Sequence, residues 1–151
     1  VWRDWKWAQL AADRGNNIVM APTSHTYFDY GQGKHPENPA FDTIGGNLSV
    51  EKVYSFEPIP PKFTEAQRKL VLGCQAQLWG EYIYNPAKQE YMAFPRACAL
   101  AEVAWSENAG RSWAEFQPRL DAHLKRLDAL KVNYRRPDGT PAVTEKVGRG
   151  E

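Results

Sequence analysis

Residues 69–79, KLVLGCQAQLW, form an apolar run that ends on a tryptophan and continues as GEYIY to residue 84. An earlier run, NIVMAP at residues 17–22, is bounded by a turn residue and a proline. Short apolar runs between turn signals are typical of buried strands, and a glycine such as Gly73 suits a close approach of two backbones. We therefore predict one buried strand in each run.

Helical patterns flank the two predicted strands. Residues 4–14, DWKWAQLAADR, precede the first strand and are followed by Gly15, a residue type that commonly terminates helices. After a turn at Asn85 and Pro86, the second strand is followed by FPRACALAEVAWS at residues 94–106. A proline in the first turn, here at residue 95, is compatible with a helix.

A last helix is predicted after Ser112, which forms the pattern of a capping box with Glu115. Helical spacing then places apolar side chains on one stripe, at Trp113, Phe116, Leu120, Leu124, Leu127 and Leu130. Pro118 falls inside this helix and should bend it or delay its regular start.

The predicted order is helix, strand, long loop, strand, helix, helix, which indicates an α/β fold with parallel β/α units. The long segment, residues 24–68, is rich in Gly, Pro, Asn and Asp, and such a loop is uncommon in a compact domain unless it is functional. Within it, SVEKVYSFEP suits either a short helix or an extended piece. Two strands do not make a complete covered sheet. We therefore expect a piece of a larger fold, or a sheet completed by other chains.

Composition excludes several classes of protein. The 151 residues carry 19 basic and 18 acidic side chains, a net charge of +1, which gives no sign of a nucleic-acid partner. No stretch approaches the roughly 20 apolar residues that span a bilayer, so no membrane partner is expected. The two cysteines, Cys74 and Cys98, lack the spacing of a metal site and are predicted to be buried free thiols. No cofactor or metal site is predicted.

Two aromatic-x-acid pairs follow the predicted strands: Tyr27 with Asp29, and Trp79 with Glu81. Alternate side chains of a strand share a face, so each pair should project together at a carboxyl strand end, where α/β barrels bind their ligands. An aromatic face beside a carboxylate matches the C–H surface and the hydroxyl groups of a sugar ring. The alternative is that the aromatic residues belong to the core while the acids cap turns.

Several linked motifs resemble the family-20 glycoside hydrolases, the β-N-acetylhexosaminidases and chitobiases. The motifs are IVMAPTSHTYFDYGQ at 18–32, VYSFEP at 53–58, GCQAQLWGEY at 73–82, EYMAFPRACALAEVAWS at 90–106 and RLDAHLKRLDALKVNYRRP at 119–137. They occur in the family's order and with compatible spacing, and the resemblance covers nearly all of residues 1–137.

The resemblance implies the last part of a TIM (β/α)8 barrel, an incomplete barrel of about strands six to eight with their helices and a C-terminal helix. VWR at residues 1–3 would end the sixth strand, and the two apolar runs would be the seventh and eighth. Residues 1–137 would belong to the catalytic barrel, and residues 138–151 would form a polar, flexible tail. Bacterial relatives are often exported, which implies a periplasmic or extracellular location.

The resemblance also implies a substrate-assisted retaining mechanism on an amino-sugar glycoside, in which the substrate's 2-acetamido oxygen attacks the anomeric carbon. A family Asp-Glu pair orients that group and protonates the leaving oxygen, and this sequence contains no Asp-Glu dipeptide. Tyr27 corresponds to the tyrosine that positions the acetamido group. Trp2 and Trp79 correspond to walls of the acetamido pocket. Asp29 and Glu81 correspond to carboxylates that bind sugar hydroxyls.

Three hypotheses follow. The chain is a hexosaminidase fragment, inactive alone, that contributes half of the site; or it is a non-catalytic amino-sugar-binding module; or it is a structural fragment that associates with the rest of the barrel or with a second copy. Two further residues are given modest roles. His25 is predicted to be a satisfied strand-end histidine or a donor behind Tyr27, and Glu102 is predicted to pair with Arg96 or to cap a barrel edge.

Overall fold

The structure is a computed structural model that describes residues 1–33 and 43–142. The described residues form two strands and several helices, in the order α1 (Trp5–Asp13), β1 (Ile18–Met20), α2 (Thr23–Thr26), α3 (Val50–Tyr54), α4 (Glu65–Arg68), β2 (Val71–Cys74), α5 (Pro86–Ala93), α6 (Arg96–Trp105) and α7 (Trp113–Ala129). Two single 3-10 turns span Gly80–Tyr82 and Asn108–Gly110.

Both predicted strands are present and pair in parallel, but the prediction that both are buried is wrong for β2, none of whose residues is fully buried. Ile18 lies opposite Val71 and Met20 lies opposite Cys74, with Leu72 as an extra residue in the ladder. Ile18 and Met20 are buried against the helices, whereas Val19 between them is 40% exposed and Leu72 is 65% exposed. Since alternate residues of a strand face opposite sides, the helices cover one face of this sheet and leave the other face open.

The core lies between the covered face of the sheet and the helices. α1 packs against β1, and α3 packs against α6. Burial of these side chains removes apolar surface from water, which is the main driving force for such packing. Buried apolar members of the cluster include Met20, Phe28, Leu48, Val53, Phe56, Phe63, Leu100, Phe116, Leu120, Leu124 and Leu127.

The first predicted helix is confirmed. Asp4 caps α1, since its side chain accepts a hydrogen bond of 2.9 Å from the Lys6 backbone N–H. Gly15 follows the helix with a positive φ of 72°, a conformation that glycine adopts without steric cost.

Helix α6 is confirmed, whereas helix α5 is missing from the prediction. A turn was predicted at Asn85 and Pro86. In the structure Asn85 is the N-cap of α5 and accepts a hydrogen bond of 2.8 Å from the Lys88 N–H, and Pro86 opens the helix. Asparagine before proline is a common helix start, so the signal was present in the sequence.

The predicted capping box of α7 is wrong. Ser112 is the N-cap residue, but its side chain makes no capping hydrogen bond. Its backbone carbonyl instead accepts from the N–H groups of Glu115 and Phe116, at 3.2 and 2.9 Å. Pro118 lies inside the helix without delaying its start, which is at Trp113.

The apolar stripe of α7 is confirmed over its middle and ends earlier than predicted. Phe116, Leu120, Leu124 and Leu127 are buried. Leu130 is 72% exposed, because the helix ends at Ala129 and Leu130 is already its C-cap residue.

The long segment predicted as a loop contains three short helices, α2, α3 and α4. α3 resolves the ambiguity of SVEKVYSFEP in favour of a helix, which Ser49 caps by accepting from the Lys52 N–H at 3.1 Å. The part of the segment at 34–42 lies outside the described residues.

The predicted tail, residues 138–151, is described only to residue 142. Over 138–142 a turn folds back, with Arg136 N–H donating to the Thr140 carbonyl and Ala142 N–H donating to the Tyr134 carbonyl, at 2.8 and 2.9 Å. The domain boundary at residue 137 stays a prediction. Within residues 1–33 and 43–142, no helix has the length and apolar character needed to cross a membrane.

Two leucines of α7 test the placement of the core. Leu127→Ala should lower the free energy of unfolding by about 2–5 kcal/mol because it leaves a cavity among buried side chains. The matched variant Leu130→Ala should change it by less than about 0.5 kcal/mol, since an exposed side chain leaves no cavity. Urea unfolding followed by circular dichroism measures both, and equal losses would contradict the assigned core.

Candidate functional site

Two segments that follow the strands lie side by side. The chain leaves the sheet at Pro22, which has no N–H to donate, and turns through α2. It then returns to the second segment: Gln77 N–H donates to the Thr26 carbonyl at 2.8 Å, and Phe28 N–H donates to the Gln77 carbonyl at 2.7 Å. This parallel bridge between Tyr27 and Gln77 brings the two aromatic-x-acid pairs onto neighbouring segments.

The prediction that each pair lies on a strand is wrong in detail. Tyr27 and Asp29 come after α2, which separates them from β1. Trp79 is the N-cap residue of the 3-10 turn Gly80–Tyr82, and Glu81 lies within that turn. The ladder of β1 with β2 ends at Met20 and Cys74, before either pair begins. Strand alternation therefore does not set the directions of these four side chains. The two segments are joined instead by the bridge between Tyr27 and Gln77.

An aromatic wall forms around Tyr27, which is buried except for 9% of its surface. The rings of Trp2 and Tyr27 are stacked, with centroids 6.4 Å apart and an interplanar angle of 25°. Tyr30 extends the wall, its ring centroid 5.9 Å from that of Tyr27. The structure thus brings together Trp2 and Tyr27, two of the predicted site residues.

Backbone hydrogen bonds hold Trp2 beside Tyr27. The terminal ammonium group of Val1 donates to the Val19 carbonyl at 2.7 Å, and the Val1 carbonyl accepts from Ala21 N–H at 2.8 Å. Thr23 N–H then donates to the Trp2 carbonyl at 2.8 Å. These bonds place the first residues along the side of β1 opposite to β2.

Trp79 is placed on the neighbouring segment and is 51% exposed. Among the described residues no ring contact joins it to Trp2 or Tyr27. Trp79 is therefore an exposed aromatic side chain that lies apart from the wall of Trp2 and Tyr27.

Asp29 is the most unusual polar residue of the site. It is only 3% exposed, and its Oδ1 atom has no hydrogen-bond partner among the described residues. Burial raises the pKa of this carboxyl, and the nearby Glu81 carboxylate raises the pKa further. The backbone N–H of Asp29 and the Arg96 guanidinium oppose that shift. A buried carboxylate oxygen without a donor is costly, so the Oδ1 atom of Asp29 would gain from a hydrogen-bond donor.

Glu81 is exposed, in contrast to Asp29. Its charge contributes to raising the pKa of Asp29. Of the five predicted site residues, Trp2 and Tyr27 form one aromatic wall, Asp29 follows Tyr27 on the same segment, and Trp79 and Glu81 lie on the neighbouring segment.

Arg96 is the residue that sequence reasoning missed. It is fully buried and donates to the backbone carbonyls of Phe28 and Tyr30, at 2.6 and 2.8 Å. The predicted pairing of Glu102 with Arg96, one of two alternatives for Glu102, is wrong: Glu102 pairs with Arg119 on α7, at 2.5 Å. Helix geometry explains the error, since positions 96 and 102 are six residues apart and do not share a helix face.

His25 lies beside the wall in α2 rather than at a strand end. Its ring stacks on Phe56 at 5.4 Å, and its Nδ1 is 2.8 Å from the Ser24 hydroxyl. Burial, with a smaller effect of Lys52, lowers the pKa of His25 to about 4. The imidazole is therefore neutral at neutral pH and packs as an aromatic ring.

The described residues show no metal-binding cluster and no disulfide at the site. Over residues 1–33 and 43–142 no group of three or more His, Cys, Asp or Glu side chains could hold a metal ion. Cys74 and Cys98 are free and partly buried, and burial raises the pKa of Cys98 to about 11.

Three grooves, of about 500, 560 and 720 Å³, lie among the helices and the loop at 57–63, and none of the five site residues lines them.

Comparison with known proteins identifies a family of similar sequence. Residues 1–108 match the family model described as "Glycosyl hydrolase family 20, catalytic domain". A protein named beta-hexosaminidase from Porphyromonas gingivalis is 36% identical over 137 residues, covering 90% of this chain and 17% of that protein. A beta-hexosaminidase from Akkermansia muciniphila is 31% identical over 120 residues, covering 80% of this chain and 23% of that protein.

Solved structures are similar too. A GH20 exo-β-N-acetylglucosaminidase from Vibrio harveyi, in complex with N-acetylglucosamine, has a TM-score of 0.79 and 39% identity, over 90% of this chain and 21% of that chain. A GH20 β-N-acetylhexosaminidase from Streptomyces coelicolor has a TM-score of 0.74 and 29% identity, over 90% and 28%. The chain spans 17–28% of the length of these four relatives. The likeness implies a TIM-barrel-type catalytic domain, of which the described residues form part.

The pH dependence of stability tests the environment of His25. Unfolding restores an ordinary pKa of 6.5, whereas the folded state holds the pKa near 4, so stability should fall as pH decreases from 6.5 to 4. His25→Gln should remove part of this fall, and Ser24→Ala, which keeps the ring buried, should retain most of it. Urea unfolding at several pH values measures the slope. An NMR titration of the His25 ring with a midpoint near 6.5 would contradict the assignment.

Proposed function

Because the chain belongs to glycosyl hydrolase family 20, we propose that it forms part of the catalytic domain of a β-N-acetylhexosaminidase. The enzyme would hydrolyse terminal non-reducing N-acetylglucosamine or N-acetylgalactosamine by substrate-assisted retaining catalysis. The observation that carries the proposal is Asp29, a buried carboxylate with an unpartnered oxygen on the segment that also holds the stacked Tyr27. Such an acceptor beside an aromatic wall suits a sugar ring and its hydroxyls.

Each site residue has a proposed role. Tyr27 positions the acetamido oxygen for attack on the anomeric carbon, which pre-sets the geometry of the reaction. Trp2 and Trp79 provide aromatic walls for the acetamido group. Asp29 and Glu81 accept hydroxyls of the sugar ring. The stacking of Trp2 on Tyr27 and the electrostatic coupling of Asp29 to Glu81 support these assignments.

We further propose that residues 1–2, β1 and β2 correspond to the sixth, seventh and eighth barrel strands. The ladder-like bonds of Val1 and Trp2 to the β1 segment and the parallel pairing of β1 with β2 support this order. The open face of the sheet, with Val19 and Leu72, would face the barrel interior, where layers of side chains from all strands pack.

The partner that completes the site would be the remainder of the barrel. Exposed apolar side chains favour this view. Val19 and Leu72 are exposed on the sheet, and Trp105 at the end of α6 is 91% exposed. Exposed apolar surface of this kind is typical of an interface. Association with a second copy is the alternative, and light scattering that found only monomers of the 151-residue chain would count against it.

The isolated chain should not hydrolyse amino-sugar glycosides. Its sequence contains no Asp-Glu dipeptide, so the pair that orients the acetamido group and protonates the leaving oxygen would come from another part of the protein. Purified chain should release no nitrophenol from 4-nitrophenyl N-acetyl-β-glucosaminide above a buffer blank. Robust release by the purified chain would overturn the proposed division of the site.

Tyr27→Phe tests the mechanism in the longer protein proposed to contain this chain. Loss of the hydroxyl should lower kcat by about 10²-fold or more and change KM much less, because the positioning interaction acts chiefly on the attacking oxygen. Tyr30→Phe is a matched control, since it removes a hydroxyl from the same aromatic wall. Initial rates on the nitrophenyl substrate give both constants, and an unchanged kcat in Tyr27→Phe would remove Tyr27 from the mechanism.

A further inference from the structure

Arg96 is a buried cation whose donors all point at main-chain carbonyls. Nη1 donates to the carbonyls of Tyr30 and Leu48, at 2.8 and 3.2 Å. Nη2 donates to the carbonyls of Phe28, at 2.6 Å, and Met92, and Nε also donates to Met92, at 3.2 Å. One planar group therefore joins the start of α6 to three other segments of the chain.

Two of these carbonyls flank Asp29. Phe28 and Tyr30 are its neighbours in sequence, and the two guanidinium nitrogens bind one each. The guanidinium also lies 4.8 Å from the centroid of the Phe28 ring, which adds a cation–π contact on the same residue. Rotation of the Asp29 backbone would break at least one of these bonds, so Arg96 restricts the direction of the Asp29 side chain.

No carboxylate within the described residues lies within ion-pair distance of Arg96. A buried cation without a paired anion is costly, and bonds to carbonyl dipoles offset only part of that cost. A purely apolar side chain at this position would avoid the cost. The arrangement therefore favours a role for the positive charge itself, beside the acidic group of the site.

We propose that Arg96 is a positioning residue: through the carbonyls of Phe28 and Tyr30 it holds the Asp29 carboxyl group in place as the acceptor of a substrate hydroxyl. This inference rests on the proposed function, in which Asp29 binds the sugar ring. Arg96 itself is enclosed by protein and acts only through Asp29.

The charges around Asp29 give the sign of the pH effect. Burial and Glu81 raise the pKa of Asp29, and Arg96 lowers it. Arg96 is faced in turn by Tyr91 and Arg135, and burial lowers its own pKa to about 9, so it remains cationic at neutral pH. Removing the charge at position 96 raises the pKa of Asp29 further. As the pH falls, Asp29 then becomes protonated at a higher pH than in the wild type, and binding that needs the carboxylate is lost earlier.

Two Arg96 variants separate the charge from the hydrogen-bond geometry. Arg96→Lys keeps a positive charge but loses the planar fork, and Arg96→Gln loses both. Arg111→Gln is the control, because the largely buried Arg111 side chain also donates to a backbone carbonyl, that of Phe56 at 3.1 Å, and pairs with Glu57 rather than with Asp29. All variants are made in the longer protein proposed to contain this chain, with circular dichroism as the test of folding.

Both Arg96 variants should raise KM by about 10- to 100-fold with a smaller change in kcat, the loss expected when a charge-assisted contact to the substrate is misplaced. In Arg96→Gln the acidic limb of the kcat/KM profile should move to higher pH, whereas Arg96→Lys should keep the limb near its wild-type position. Arg111→Gln should lower the thermal midpoint without moving the limb or KM.

The possible outcomes are distinguishable. A wild-type protein that cleaves no amino-sugar glycoside would remove the proposed function, and this inference with it. An active wild-type protein in which Arg96→Gln behaves like Arg111→Gln would overturn the inference alone. Failure of both Arg96 variants to fold would assign Arg96 to structure only, and would also overturn it.

Discussion

The hydrogen bonds that Gln77 exchanges with Thr26 and Phe28 are the constraint on which the site depends. They join two segments some fifty residues apart in sequence, beyond a point where Pro22 has already interrupted the sheet. Tyr27 lies between the two bonded residues, Asp29 follows them, and Trp79 follows Gln77. The bridge therefore fixes the relative position of the aromatic wall and the acidic group, although neither lies on a regular strand.

Burial of Asp29 has a consequence for the residues around it. A carboxylate that loses water and meets a second carboxylate favours protonation, and a protonated acid is a poorer acceptor of sugar hydroxyls. Arg96 opposes this without forming an ion pair, because its donors are occupied by carbonyls. A direct ion pair would have consumed the lone pairs of Asp29. The indirect arrangement leaves the Oδ1 atom of Asp29 free of protein donors in the described residues while keeping a positive charge nearby.

The sequence was sufficient for the features that depend on local pattern. Apolar runs between turn residues predicted the positions of β1 and β2. The capping residue Asp4 and the terminating residue Gly15 predicted the two ends of α1. Features set by distant contacts were not predictable in this way. The burial of Arg96 depends on carbonyls up to 68 residues away, and a single turn, α2, displaced Tyr27 and Asp29 from the predicted strand. The identity of the site residues came from the resemblance of linked motifs, since composition and periodicity alone also allowed core aromatics and turn caps.

The open face of the sheet connects the fold to the incomplete site. A strand with helices on one side buries only alternate side chains, so Val19 faces away from the core that Ile18 and Met20 join. A barrel removes this exposure by closing the sheet on itself, and the same closure surrounds a ligand at the carboxyl ends of the strands. A sugar on the described residues alone would contact one aromatic wall and the acids, with its opposite side in water. In the proposed barrel, the strands that cover the open face of this sheet therefore also complete the pocket around the ligand.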